Sequence, residues 1–129
     1  MSDNLAIIGL GSNIDPEKNI PQALRWLREE FGIEKQSSFL RTRPVGNINQ
    51  EDFLNGCALI RTGLDKDALA ARLKQIEREL GRVRTADKYG PRVIDLDVLT
   101  FNGKVEDPDV FKRDFIKTGI LEIDPDFCF

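Results

Sequence analysis

Asp95 and Asp97 stand one residue apart in the run GPRVIDLDVL, residues 90–99, and Arg82, Arg84, Lys88 and Arg92 crowd the stretch just before them. In an extended strand, residues two apart project to the same face, roughly 7 Å apart at Cα. Two carboxylates at that separation repel by about 2 kcal/mol at an effective dielectric of 20. A strand kept only for packing gains nothing from this repulsion, whereas a divalent cation between the acids reverses its sign. Oxygen donors suit a hard ion such as Mg²⁺, and arginine offers planar, bidentate donors matched to phosphate oxygens. A metal-ready acidic pair beside cationic side chains is the equipment of phosphoryl transfer to or from a nucleotide. Spacing alone leaves a second reading open: a solvated strand face whose incidental acids are neutralised by a solvated basic loop.

Composition narrows the chemistry. The chain has 129 residues and no histidine, so imidazole catalysis and histidine metal ligation are excluded within it. Its 19 basic and 22 acidic side chains leave a net charge of −3, which argues against a general nucleic-acid coat. Cys57 and Cys128 lie far apart, fit no metal spacing, and are expected to be reduced. The opening MSDNLAIIGLG has neither the basic nor the long apolar region of a secretory leader, and no apolar run approaches a membrane span, so a cytoplasmic protein is expected.

These residues need a frame. The length fits one domain, residues 1–129. Residues 5–11, LAIIGLG, read as a buried strand ending in a turn. Asp15-Pro16 opens a helix with Ile20, Ala23, Leu24 and Leu27 at helical spacing, and Gly32 ends it. Residues 33–45 read as a strand running into the polar loop 46–52, and residues 53–62 as another strand. Asp65 caps a second helix striped by Leu69, Leu73, Ile76 and Leu80, closed by Gly81. Residues 93–101 form the acidic strand, with Val93, Asp95, Asp97 and Leu99 on one side and Ile94, Leu96 and Val98 facing the core. Asn102-Gly103 makes a turn, and a last short helix is expected over 109–121. The order β-α-β-β-α-β predicts an α+β fold: a ferredoxin-like core whose antiparallel sheet carries packed helices, plus a short C-terminal helix.

Two further stretches bear on ligands. GLGSN, residues 9–13, lacks the third glycine of the dinucleotide fingerprint and the Gly-Lys-Ser/Thr of the P-loop, and reads as a tight strand-to-helix turn. Phe53 and Asn55 share a strand face, where an aromatic beside an amide suits either a flat heterocycle or plain core packing. Cys57, on the same face, reads as a small apolar packing residue.

Taken together, GLGSN, the Thr42-x-Pro44-Val45-Gly46 segment, DFLN at 52–55 and GRVR…YGPRVIDLD at 81–97 resemble the 6-hydroxymethyl-7,8-dihydropterin pyrophosphokinase family of folate biosynthesis, in order over nearly the whole chain. The resemblance implies a monomeric transferase that moves diphosphate from ATP to the 6-hydroxymethyl group of the dihydropterin and releases AMP, with no nucleic-acid or membrane partner. It implies that Asp95 and Asp97 hold two Mg²⁺ ions on the ATP phosphates, and that Arg82 and Arg92 join them as catalytic residues. Arg84, Lys88, Tyr89, Arg92 and Arg113 then serve ATP. Phe53 and Phe115 sandwich the pterin, while Thr42 and Asn55 bond its edge, helped by the backbone around Pro44 and Val45. Glu77 matches a family position near the acidic site, and Asp97 is a candidate acceptor for the hydroxyl proton.

The chain departs from the family pattern in places. Asp107 stands where the family commonly carries a histidine that reaches the ATP phosphates, and NGKVEDPD, residues 102–109, is a shortened loop. Leu40 replaces a common tyrosine and Tyr89 a usual tryptophan; Lys104, Lys112 and Arg113 are the cations at hand to compensate. These departures keep an alternative in view: a paralogue that binds a pterin or nucleotide without turnover. An RNA-recognition module shares the topology but is disfavoured, because no strand carries the aromatic pattern it needs and the net charge is acidic.

Overall fold

A computed structural model describes residues 4–44, 46, 49–81 and 91–129. Strand β1 (Asn4–Ser12) turns Ala6, Ile8 and Leu10 toward the main core. It pairs antiparallel with β4 (Phe53–Thr62) on one side and β5 (Asp95–Phe101) on the other. The outer edge of β4 carries β2 (Ile33–Gln36) and β3 (Leu40–Thr42), and β5 carries the two-residue β6 (Lys104–Val105). The sheet order is therefore β2-β4-β1-β5-β6, with β3 also on β4. Helices α1 (Pro16–Glu30) and α2 (Lys66–Glu79) make the two crossovers and bury Ile20, Leu24, Leu27, Leu69, Leu73 and Ile76 against one face. This is the ferredoxin-like α+β arrangement that the element order predicts.

The helix ends follow local chemistry. Pro16 at the first helical position needs no amide partner. Asp15 has φ 43° and its side chain caps nothing; its carbonyl instead accepts the Lys18 and Asn19 amides at 3.0 and 2.9 Å. The Asp65 side chain does cap α2, accepting from the Ala68 amide at 2.8 Å. Asn102 and Gly103 both take positive φ, as a two-residue hairpin between β5 and β6 requires.

Four segments differ from expectation, each for a local reason. The strand expected over 33–45 breaks at Ser37–Phe39, where the Ser37 hydroxyl accepts the Cys57 amide at 2.8 Å and interrupts regular pairing on β4. GLGSN is no turn: residues 9–12 are still paired to both β4 and β5, except that Ser12 pairs β4 alone. The acidic strand starts at Asp95 rather than Val93, because the Arg92 amide and carbonyl are already engaged by Asn13 at 2.7 and 3.0 Å. The expected 109–121 helix splits into a 3₁₀ turn (Pro108–Phe111), capped by Asp107 onto the Asp109 amide, and helix α3 (Asp114–Ile123).

Helix α3 lies on the face opposite α1 and α2. It closes a smaller core in which Ile120 and Ile123 meet Ile7, Cys57, Leu99 and Val110. Leu99 turns toward this second core, where it packs directly over Gly9. Both faces of the sheet are thus covered, one by two helices and the other in part by α3.

Close approach fixes one residue type in β4. A Cβ at Gly56 would stand 2.6 Å from the Phe39 ring. Gly56→Ala is expected to cost about 1–3 kcal/mol through overpacking, read as a lower denaturation midpoint at unchanged slope.

Candidate active site

The uncovered part of the second face forms a cavity of about 360 Å³. Its floor is β1, where Gly9 and Gly11 leave space that side chains would fill. A Cβ on Gly11 would sit 2.7 Å from Asn55 Oδ1, so the glycine lets the amide lie flat across the strand. β4 lines one side with Phe53, Asn55 and Cys57, one residue pair after another along the same face. Asn55 Nδ2 donates to Thr42 Oγ1 at 2.5 Å, joining β3 to this wall. β5 lines the other side with Asp95, Asp97 and Leu99. The Leu99 carbonyl accepts the Glu106 and Asp107 amides at 2.9 and 3.4 Å, which brings the 3₁₀ turn and the start of α3 over the cavity. From there Asp107, Asp109, Arg113, Phe115 and Ile116 complete the lining.

The acidic pair sits at the junction of β5 and α2. The Asp95 and Asp97 side chains expose 36% and 39% of their surface, so both remain open to the cavity. Lys74, from α2, places Nζ 3.1 Å from Asp97 Oδ1 and 3.8 Å from Asp95 Oδ1. The same ammonium reaches Glu77 Oε2 at 2.9 Å and the Leu96 carbonyl at 3.0 Å. Glu77 is 2% exposed and accepts the Leu96 amide at 2.6 Å. Both backbone polar groups of Leu96 are thereby satisfied by α2 side chains.

Charge placement follows from this geometry. Burial, and then the charge of Asp95, push the Asp97 carboxyl up to about 6, against the pull of Lys74; Asp107 adds to the rise. Burial alone would lower the Lys74 ammonium, but Asp97, Glu77 and Asp95 outweigh it and hold its pKa above the ordinary lysine value. The Cys57 thiol is pushed up to about 12 by burial, which leaves it a packing residue and not a nucleophile.

The donor set fits a hard cation. Among the described residues no three carboxylates or thiols converge to hold a metal unaided. Magnesium needs no such cage: it is usually held by one or two carboxylates, with waters and substrate phosphates completing its shell. Two half-buried carboxylates on one strand face match that requirement.

The description 7,8-dihydro-6-hydroxymethylpterin-pyrophosphokinase (HPPK) belongs to the family model that matches residues 7–125. The chain belongs to this family. Its relatives include the 2-amino-4-hydroxy-6-hydroxymethyldihydropteridine pyrophosphokinase of Bacillus subtilis (strain 168), 39% identical over 94% of this chain and 78% of that protein. The enzymes of the same name from Aquifex aeolicus and a Synechocystis strain are 37% and 35% identical, covering 92% and 95% of this chain and 79% and 67% of theirs.

Within this pyrophosphokinase frame, Thr42, Phe53, Asn55, Arg92, Asp95, Asp97, Arg113 and Phe115 all meet around one cavity. Pro44 lies outside its lining. Val45, Arg82, Arg84, Lys88 and Tyr89 lie outside the described residues. Sequence reasoning missed Arg43, Asp109 and Lys74, which lack any motif spacing and reach the site only through packing. It also missed Asn13, the last residue of GLGSN: its side-chain amide bonds Gln50 and Glu51 while its carbonyl oxygen takes the Arg92 amide, tying two loops to the end of β1.

The raised pKa of Asp97 has a measurable sign. An aspartate near 3.9 when unfolded and about 6 when folded takes up a proton on folding between those values. Ionised Asp97 therefore costs stability above pH 6, and that cost fades as the pH falls toward 4. Metal-free wild type should gain stability relative to Asp97→Asn on going from pH 7 to pH 5, measured as the difference in Tm. The opposite trend would mean that Lys74 holds Asp97 ionised in the fold.

Proposed function

We propose that this chain transfers the diphosphate group of ATP to the hydroxymethyl oxygen of 6-hydroxymethyl-7,8-dihydropterin, releasing AMP, with residues 1–129 acting as one pyrophosphokinase domain. Enzymes of this family act on ATP and a pterin and typically use Mg²⁺. One observation carries the reading at the level of residues. Asp95 and Asp97 share a sheet face and a single cavity with Phe53 and Asn55, separated only by the glycines of β1. A polyphosphate binder and a slot for a flat heterocycle are thus neighbours on one rigid surface.

In this reading Phe53 and Phe115 stack on the pterin ring, and Asn55 and Thr42 exchange their mutual hydrogen bond for bonds to its edge. Asp95 and Asp97 would hold two Mg²⁺ ions, which neutralise the charge on the phosphates. Arg92 and Arg113 reach the phosphate oxygens from two sides of the cavity, and Arg43 supplies a third cation. Arg82, Arg84, Lys88 and Tyr89 complete the nucleotide-binding set. The reaction asks little covalent work of the protein: it holds two substrates in line and stabilises charge as it develops. Asp97 takes the hydroxyl proton. The chain works as a monomer on small molecules, without nucleic acid. Among the described residues no helix is long and apolar enough to cross a membrane.

A coupled assay of AMP release with 6-hydroxymethyl-7,8-dihydropterin and Mg·ATP tests this. Wild type should form AMP only when the pterin and Mg²⁺ are both present. Asp95→Ala should lose at least about 100-fold in rate, the scale of removing a strong electrostatic stabiliser. No AMP above background from the wild type overturns the reading.

A further inference from the structure

Lys74 carries no motif, yet its ammonium is where α2, the edge of β5 and the acidic pair meet. It stands 3.1 Å from Asp97, 3.8 Å from Asp95 and 2.9 Å from buried Glu77, and it donates to the Leu96 carbonyl at 3.0 Å. Its side chain is 31% exposed, so it is neither a solvated surface lysine nor sealed in the core. β6 pairs only with Thr100 and Phe101, so at Leu96 no strand of the described sheet lies outside β5. The lysine occupies that place, with its charge against the two acids.

We propose that Lys74 is a positioning residue, a resident cation that holds the Asp95 and Asp97 carboxylates in one orientation and tunes their affinity for Mg²⁺. The proposal rests on reading those two residues as cation ligands. Two carboxylates on one strand face repel each other. An ammonium contacting both keeps them oriented in the protein without metal. The same positive charge opposes a bare divalent ion arriving at those carboxylates. A triphosphate brings its own negative charges and offsets that opposition. Mg²⁺ is therefore taken up with the nucleotide and not ahead of it, and the ligands are already in place when it arrives. Glu77 keeps the lysine at its post: almost wholly buried and bonded to the Leu96 amide, it cannot follow the ammonium outward.

The test uses Lys74→Gln, which keeps a hydrogen-bond donor and removes the charge. Thermal melts compare it with wild type, without nucleotide, with and without millimolar Mg²⁺ at matched ionic strength. Metal-free Lys74→Gln should melt roughly 5 °C lower, on the scale of breaking a partly buried ion pair. Mg²⁺ should restore at least half of that loss while leaving wild type nearly unmoved, and adding Asp97→Asn to the variant should abolish the restoration. A lysine that merely packs the fold would lower Tm without changing the response to Mg²⁺; that result overturns the proposal, as does a Lys74→Gln protein as stable as wild type. Should the variant not fold, wild type alone decides. Binding of Mg²⁺ without nucleotide tighter than about 0.1 mM, the tight edge of the range for weak calcium modules, overturns the proposal, and weaker binding supports it. None of these measurements needs turnover, so they fail or succeed independently of AMP formation.

Discussion

The backbone of Leu96 is the point on which the site hangs. Its amide is taken by Glu77 and its carbonyl by Lys74, both from α2. An edge strand with unpaired polar groups is open to pairing elsewhere, and a slip of one residue against β1 would carry Asp95 and Asp97 to the opposite face. The two side chains from α2 supply the lateral bonds that a neighbouring strand would otherwise make. They reinforce the register that pairing with β1 sets, at the residue between the two acids.

Around that point the sheet divides its work by face. Ala6, Ile8, Leu10, Ala58, Ile60, Ile94 and Leu96 look toward α1 and α2 and form the larger core. The other face is apolar where α3 covers it and polar where it does not. The boundary runs along β1, where Ile7 belongs to the smaller core and Gly9 and Gly11 to the cavity. Side chains at the two glycines would fill the cavity from below; Gly11 in particular would collide with Asn55. The site is therefore a gap in a second hydrophobic layer, floored by rigid strands, which suits chemistry that depends on holding two substrates in line.

Both signs of charge line the cavity. Asp95, Asp97, Asp107 and Asp109 share it with Arg43, Arg92 and Arg113. Burial and the neighbouring Asp95 charge strain the acidic pair, and the elevated pKa of Asp97 expresses it. Asp107 contributes to that strain from the segment between β6 and the 3₁₀ turn. Its carboxylate is also spent on capping the 3₁₀ turn, so it holds the chain over the site as well as adding charge. Lys74 relieves the strain from the far side of β5.

The α+β class, the two crossover helices with their Asp65 cap and glycine ends, and the shared face of Asp95 and Asp97 were all readable from the chain, because they depend on local periodicity and on residues a few positions apart. So was the grouping of Phe53, Asn55 and Cys57, which needs only the alternation of a strand. Ordered motifs brought the family within reach, and with it eight residues of the cavity's lining. The rest depended on packing between distant segments. Gly9 and Gly11 proved to be floor and not turn, since strand pairing on both sides of β1 overrides the local preference of glycine for bends. Ser37 broke one strand into two by bonding a backbone twenty residues away. Lys74 and Asn13 entered the site through contacts 23 and 79 residues apart, which no spacing rule registers. Local pattern determines which side chains share a face. Only the tertiary structure decides what stands opposite that face, because long-range neighbours come from the closure of the sheet and its helices.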